Sequence, residues 1–225
     1  FGGGGWGGGG GVGWGGLGFW VLGWGGSVLH LGRPGQGWKA FLGWRRSWLS
    51  REVIAFGAWA PVAGAFAGAM WLGLSDWVVG PLGLLTGALG VTGVWCSVMV
   101  YVDTRRPAWC IGLTAMKFFG TVGIGYFAAM GMSLGVMGMV LVKMGVEARM
   151  LTAGGDEAFG RVSALQWGPL RGVVLVRAAC GLSGALLMGL GLSFYGGLAL
   201  VIVGELLERV LFFRSAAAPK MPGTI

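Results

Sequence analysis

The chain has 225 residues, of which 55% are hydrophobic and 11% are charged. Soluble domains carry about 25% charged residues, so this composition excludes a soluble domain and predicts that most of the chain lies in lipid. The net charge of +8 comes from short stretches between apolar runs. That pattern indicates membrane topology or a partner surface rather than nucleic acid.

The predicted fold class is all-α. Transmembrane strands alternate apolar and polar residues, and no such alternation occurs in the sequence. We therefore predict a polytopic bundle of transmembrane helices, in a single integral membrane domain that comprises residues 1–225.

Residues 1–26 are almost entirely glycine, with scattered Trp, Phe, Val and Leu. Glycine costs about 1 kcal/mol per residue in a helix relative to alanine. Such a run would form a membrane span poorly. We expect that it does not give the protein's true N-terminal sequence; a genuine glycine-rich tail is the alternative.

Apolar runs long enough to cross a bilayer recur along the chain. A bilayer core takes about 20 helical residues to cross, and a polar connection is predicted at Thr152–Trp167. Seven candidate spans result: A, the Gly-rich run ending near Leu29; B, about Val53–Leu74; C, about Pro81–Val102; D and E, the stretch from Ala108 to Leu151 divided near Gly131–Ser133; F, about Leu170–Leu190; and G, about Leu192–Phe213.

The basic residues support this count of spans. With seven spans, every basic cluster falls on one membrane face, between A and B, C and D, E and F, and after G. By the positive-inside rule this basic-loop face is cytoplasmic. A partner subunit that docks on these loops could select the same residues.

Span A ends at His30 and span B begins at Glu52, so a short connection brings both side chains to one membrane face. An imidazole beside a carboxylate suits the proton exchange that accompanies quinone oxidation or reduction. Alternatively, His30 bonds a loop carbonyl, and Glu52 pairs with Arg51 or caps span B after Ser50. The spacing leaves both interpretations open.

The connection between A and B interleaves tryptophans with basic residues. An interfacial aromatic belt with headgroup-binding arginines has this composition, and so does a platform for a water-soluble electron-carrying subunit. The residues predicted to dock such a subunit are Trp38, Arg45, Arg46 and Trp48.

Charged residues within spans are costly and are candidates for function. Lys117 lies in span D, while Lys143 and Glu147 lie four residues apart in span E and form a hypothetical proton relay. Neutralisation between helices is the alternative, and we favour it for Glu205 and Arg209 in span G. The single histidine argues against haem, and the three isolated cysteines give no metal-binding pattern.

Four segments recur in chain order: His30–Pro34, Trp48–Glu52, Arg105–Trp109 and Gly204–Leu206, followed by Arg209 and Phe212. Together they resemble the membrane anchor family of dimethyl sulfoxide reductase. The variant Trp44–Trp48 resembles the anchors of membrane-bound sulfite-oxidising complexes.

This resemblance implies an eight-helix, haem-free anchor in the bacterial cytoplasmic membrane, which is not an enzyme on its own. The family's anchors hold a molybdopterin catalytic subunit and an iron–sulfur subunit, and exchange electrons with ubiquinone or menaquinone. The family's quinone-linked histidine and acidic residue correspond to His30 and Glu52, and we expect Arg33 to assist them. The alternatives are a small transporter or channel that uses Lys117, Lys143 and Glu147, or a purely structural tether.

Overall fold

The computed structural model describes residues 42–152 and 157–216. Within these ranges the chain is helical and contains no strand, which confirms the all-α prediction. Span A lies outside the described residues. The elements are α1 (Trp48–Trp71), α2 (Asp76–Val102), a short 3-10 helix (Pro107–Trp109), α3 (Ile111–Ala129), α4 (Ser133–Thr152), α5 (Glu157–Trp167), α6 (Arg171–Gly189) and α7 (Phe194–Arg214).

Four of the described helices, α1, α2, α3 and α6, are long and apolar enough to cross a bilayer. They correspond to the predicted spans B, C, D and F. Helices α4 and α7 have 20 and 21 residues and match spans E and G. Their length suffices for about 30 Å, but both carry several charged side chains, so their crossing stays a prediction. The chain is a multi-pass membrane protein.

Three details of the predicted layout differ from the structure. The stretch predicted as a polar connection contains α5, a helix of 11 residues. Helix α1 begins at Trp48 rather than near Val53, because the Ser47 side chain accepts a hydrogen bond from the Ser50 amide and caps the helix. Helix α2 likewise begins before Pro81, at Asp76, whose charge complements the helix dipole.

The chain divides into two compact units, and the division falls between Ser97 and Val98. In the first unit, α1 and α2 are antiparallel neighbours joined by a tight turn. The turn contains Gly73 at φ +64°, a left-handed conformation that glycine adopts without strain.

The second unit contains α3 to α7 and the last residues of α2. Helices α6 and α7 approach closely at Gly184 and Gly197: a Cβ added at Gly184 would lie 2.6 Å from the Gly197 carbonyl oxygen. One apolar cluster joins α3, α4, α6 and α7, and consists of Ile124, Val136, Val140, Ala185, Met188 and Val201. A second cluster, Ala108, Trp109, Val162 and Phe212, surrounds the 3-10 helix.

Candidate functional site

Glu52, in the first turns of α1, contacts α2 through its carboxylate. The Ser97 hydroxyl lies 2.5 Å from Glu52 Oε1 and 3.2 Å from the Gly93 carbonyl oxygen of its own helix. Ser97 is buried, and Glu52 is partly buried. Among the described residues, the Glu52 carboxylate is thus held by the buried hydroxyl of Ser97.

Aromatic rings of α1 against glycines of α2 fix the register of this contact. A Cβ added at Gly93 would lie 2.7 Å from Phe56 Cε1, so only glycine leaves room for the ring. The contacts are spaced equally along the two antiparallel helices, so each step toward the end of α1 matches an equal step toward the start of α2. The contacts are Glu52 with Ser97, Phe56 with Gly93, Trp59 with Gly90, and Phe66 with Gly83.

Arg51 organises the loop that precedes α1. Its Nε donates to the Trp44 carbonyl at 2.8 Å and its Nη2 donates to the Arg45 carbonyl at 3.0 Å. The guanidinium also lies 4.2 Å from the centre of the Trp48 ring. Arg51 therefore holds the loop in place, a role that the sequence did not indicate. The neighbouring Glu52 accepts a hydrogen bond from Ser97 and does not cap the helix after Ser50.

The loop presents Trp44, Arg45 and Arg46 on the surface, while Trp48 is partly buried under Arg51. Of the other predicted site residues, His30, Arg33 and Trp38 lie outside the described residues. The pairing of His30 with Glu52 and the docking role of the loop therefore stay predictions.

A buried ionic network occupies the second unit, between α3, α4, α6 and α7. Its best-buried cation is Lys143, whose side chain is 2% exposed. Lys143 Nζ lies 2.5 Å from Glu205 Oε2, 2.7 Å from Glu208 Oε2 and 3.1 Å from Thr121 Oγ1. Glu205, predicted to be neutralised between helices, is neutralised by Lys143.

Glu147 belongs to the same network through other partners. It forms ion pairs with Lys117 of α3 and Arg177 of α6. Both of these cations also contact Glu208, Arg177 at 3.0 Å and Lys117 at 3.6 Å. Lys143 and Glu147, the two residues of the predicted proton relay, are thus connected indirectly, from Lys143 to Glu208 and from Glu208 through Lys117 or Arg177 to Glu147.

Arg209 lies at the edge of this network. Its Nη2 donates to Thr121 Oγ1 at 3.2 Å, and its guanidinium lies 4.0 Å from the centre of the Phe118 ring. The Nη1 atom is buried and has no hydrogen-bond partner among the described residues.

Sequence reasoning missed Glu208 and Arg177 as members of the network. Both interrupt otherwise apolar runs, which was the available signal. On each helix the network extends from near the middle toward the end nearer the Arg-bearing loops. The apolar cluster of Val136, Ile124 and Met188 lies on the other side of it. Cavities of about 10 Å³ adjoin the network at Lys143 and at Lys117.

Comparison with known proteins places the chain in a family. The model of the DMSO reductase anchor subunit matches residues 12–150. The C subunit of the sulfite dehydrogenase of Allochromatium vinosum is 35% identical over 113 residues, which is 44% of this chain and 34% of that protein. The anaerobic dimethyl sulfoxide reductase chain YnfH of Escherichia coli (strain K12) is 35% identical over 97 residues, 43% of this chain and 34% of the relative.

The matches therefore span about a third of the length of these curated relatives. No solved structure matches the chain. The family match nevertheless covers more than half of the 225 residues, including Glu52, its partner Ser97 and most of α4. The chain belongs to the DMSO reductase anchor subunit family.

Proposed function

We propose that this chain is the quinone-reactive anchor of a membrane-bound oxidoreductase complex. The proposal rests on family membership and on one structural observation: a partly buried carboxylate, Glu52, is held by a buried hydroxyl where α1 begins. A group that exchanges protons at the end of a membrane helix suits a lipid-soluble redox partner.

The residues assigned to quinone are His30, Arg33 and Glu52. When bound, a quinone would take up two electrons and two protons, and a quinol would supply them. His30 binds a quinone oxygen and passes a proton, Glu52 orients that imidazole or relays the proton to water, and Arg33 offsets negative charge. The hydrogen bond from Ser97 fits this assignment because it holds Glu52 in one place through one of its two carboxylate oxygens.

The exposed loop Trp44–Arg46 is assigned to docking, together with Trp38 and Trp48. Sulfite dehydrogenase and dimethyl sulfoxide reductase complexes, after which the relatives are named, suggest partners that carry molybdopterin and iron–sulfur clusters. The conversion of substrate then takes place in another subunit. The anchor itself lies in the bacterial cytoplasmic membrane, with its basic-loop face in the cytoplasm.

The buried network is assigned a secondary role as a proton relay through Lys143, Glu208, Lys117 and Glu147, which contact one another in that order. It does not favour a solute transporter. Its charges are paired across helices, and the adjoining cavities of about 10 Å³ have room for about one water molecule each.

The test uses the whole complex in membranes, with His30→Ala and Glu52→Gln variants. Quinone-linked turnover is expected to fall by about 100-fold or more, the usual contribution of general acid–base catalysis. Turnover with an artificial dye, which bypasses the anchor, is expected to persist. Asp76→Asn, which removes an exposed carboxylate at the other end of the α1–α2 pair, is the matched control.

Unchanged quinone-linked turnover in both site variants would overturn the assignment and leave a structural tether. Loss of turnover with dye and with quinone alike would indicate failed assembly, which the amount of co-purified partner subunits reveals. In that case, Glu52→Asp, which keeps the carboxylate, separates loss of the acid from loss of the fold.

A further inference from the structure

The Ser97 hydroxyl lies between two acceptors. Glu52 Oε1 is 2.5 Å away on α1, and the Gly93 carbonyl oxygen is 3.2 Å away, one turn earlier on α2. A serine hydroxyl has one hydrogen and two lone pairs, so it donates to one acceptor at a time and can accept from another group. Serine in a helix commonly donates to the carbonyl four residues earlier.

These distances permit two complete hydrogen-bond arrangements. When Glu52 is ionised, Ser97 donates its hydrogen to Glu52 Oε1. When Glu52 carries a proton, that proton is donated to Ser97 Oγ, and the Ser97 hydroxyl rotates and donates to the Gly93 carbonyl. No heavy atom moves, and in neither arrangement does the buried hydroxyl hydrogen lack an acceptor.

We propose that Ser97 is a positioning residue that lets Glu52 gain and release a proton without losing its hydrogen bond. The proton that enters Glu52 is the proton that leaves it, and Ser97 keeps its own hydrogen throughout. This inference rests on the proposed function, because it matters only if Glu52 exchanges protons during turnover.

The packing around Glu52 and Ser97 keeps their heavy atoms in the same positions in both hydrogen-bond arrangements. The rings of Phe56 and Trp59 lie against Gly93 and Gly90, so α1 and α2 have little freedom to shift. The other titratable groups described near Glu52 are Arg51 on α1 and Cys96 on α2. The Arg51 guanidinium donates to loop carbonyls. Ser97 is therefore the group that changes its hydrogen-bond acceptor when Glu52 gains or loses a proton.

The experiment uses the whole complex with Ser97→Ala and Ser97→Thr. Loss of the hydroxyl is expected to lower quinone-linked kcat by about 10- to 100-fold, the range for a misplaced catalytic group, with little change in KM. Ser97→Thr keeps the hydroxyl and is expected to restore most of the turnover. Thr92→Ala is the matched control, because Thr92 also donates to the carbonyl four residues earlier on α2 but is exposed.

Infrared difference spectra can separate this role from a purely structural one, because they report the hydrogen bonding of the Glu52 carboxyl group directly. The carboxyl stretching band of protonated Glu52, identified by its loss in Glu52→Gln, is expected at higher wavenumber in Ser97→Ala than in the wild type. Ser97→Thr is expected to keep the wild-type position.

The outcomes separate this inference from the proposed function. If Glu52→Gln abolishes quinone-linked turnover while Ser97→Ala changes neither kcat nor the band, the role of Ser97 is wrong and the quinone assignment stands. If Glu52→Gln retains full turnover, the quinone assignment fails, and the role of Ser97 fails with it.

Discussion

Lys143 of α4 and Glu208 of α7 approach within 2.7 Å, and their side chains are 2% and 1% exposed. Two further cations, Lys117 and Arg177, contact the same carboxylate. Because α3, α4, α6 and α7 all contribute to these contacts, Glu208 joins four helices at one point. The loss of its charge leaves three cations around a neutral group.

Glu208→Gln should therefore destabilise the second unit. In the variant, Glu147 and Glu205 still pair with the three cations, so one buried positive charge is left in excess. An uncompensated buried charge costs about 3–5 kcal/mol. The free energy of unfolding, measured by titration with a denaturing detergent, should fall by about that amount. Asp103→Asn, at an exposed position after α2, is the control and should change it little. Equal effects of the two variants would contradict a central role for Glu208.

Gly93→Ala should destabilise the α1–α2 pair. The new methyl group would lie 2.7 Å from Phe56 Cε1 and force the ring away. Overpacking of this kind costs about 1–3 kcal/mol. The same substitution at Gly87, where nothing lies within 4 Å, should stabilise α2 by up to about 1 kcal/mol, because alanine is the better helix former. The difference between the unfolding free energies of Gly93→Ala and Gly87→Ala measures the energetic cost of crowding the Phe56 ring.

Gly93→Ala should also impair quinone-linked turnover if the register of α1 places Glu52 against Ser97. Gly87→Ala should leave turnover at the wild-type level. Wild-type turnover in a destabilised Gly93→Ala complex would mean that the position of Glu52 tolerates the shift.

Trp109→Phe should cost stability through one hydrogen bond. The indole Nε1 donates to the Phe212 carbonyl at 3.1 Å, near the end of α7, where helix carbonyls lack helical partners. Phenylalanine can keep the stacking on Phe212 but leaves that carbonyl unpaired, at a cost of about 1–3 kcal/mol. Trp77→Phe, at a side chain 79% exposed, is the control, and thermal unfolding of both variants in one detergent is the measurement.

The helical fold could be predicted from the sequence because apolar runs and their charged ends are local features. Spans B, C, D and F follow from length and composition alone, and the predicted split near Gly131–Ser133 falls at the turn between α3 and α4. Helix α5 was missed because its residues are polar, and membrane length was the criterion. Ser47 was missed as a cap because the apolar run begins only after Glu52.

The contacts of the site could not be predicted in this way. Spacing along one helix suggested Lys143 with Glu147, but the carboxylates that Lys143 contacts are Glu205 and Glu208, which lie more than 60 positions later on a different helix. Spacing cannot tell which helices are neighbours. Nothing in the sequence indicated the role of Ser97 either, because a serine in an apolar span usually donates to a carbonyl of its own helix. Only the register of α1 against α2 shows that Ser97 also reaches Glu52.

The exposed arginines of the loop before α1 provide the last prediction. Arg45 and Arg46 are exposed, and Arg51, through the Trp44 and Arg45 carbonyls, holds the backbone that carries them. If they dock an acidic surface of the iron–sulfur subunit, Arg45→Glu with Arg46→Glu should lower the amount of that subunit that co-purifies with the anchor. The loss relative to the wild type should be largest at low salt, because salt screens both the attraction of the arginines and the repulsion of the new carboxylates.

Arg105→Glu is the matched control, since Arg105 is also exposed but lies in the loop after α2. It should leave co-purification near the wild-type level. If the two loops behave alike, general attraction between a basic face and its partner is sufficient, and the loop before α1 has no special role. If instead the Arg45 and Arg46 variant keeps its partners but binds anionic vesicles less well, these arginines bind lipid headgroups and docking lies elsewhere.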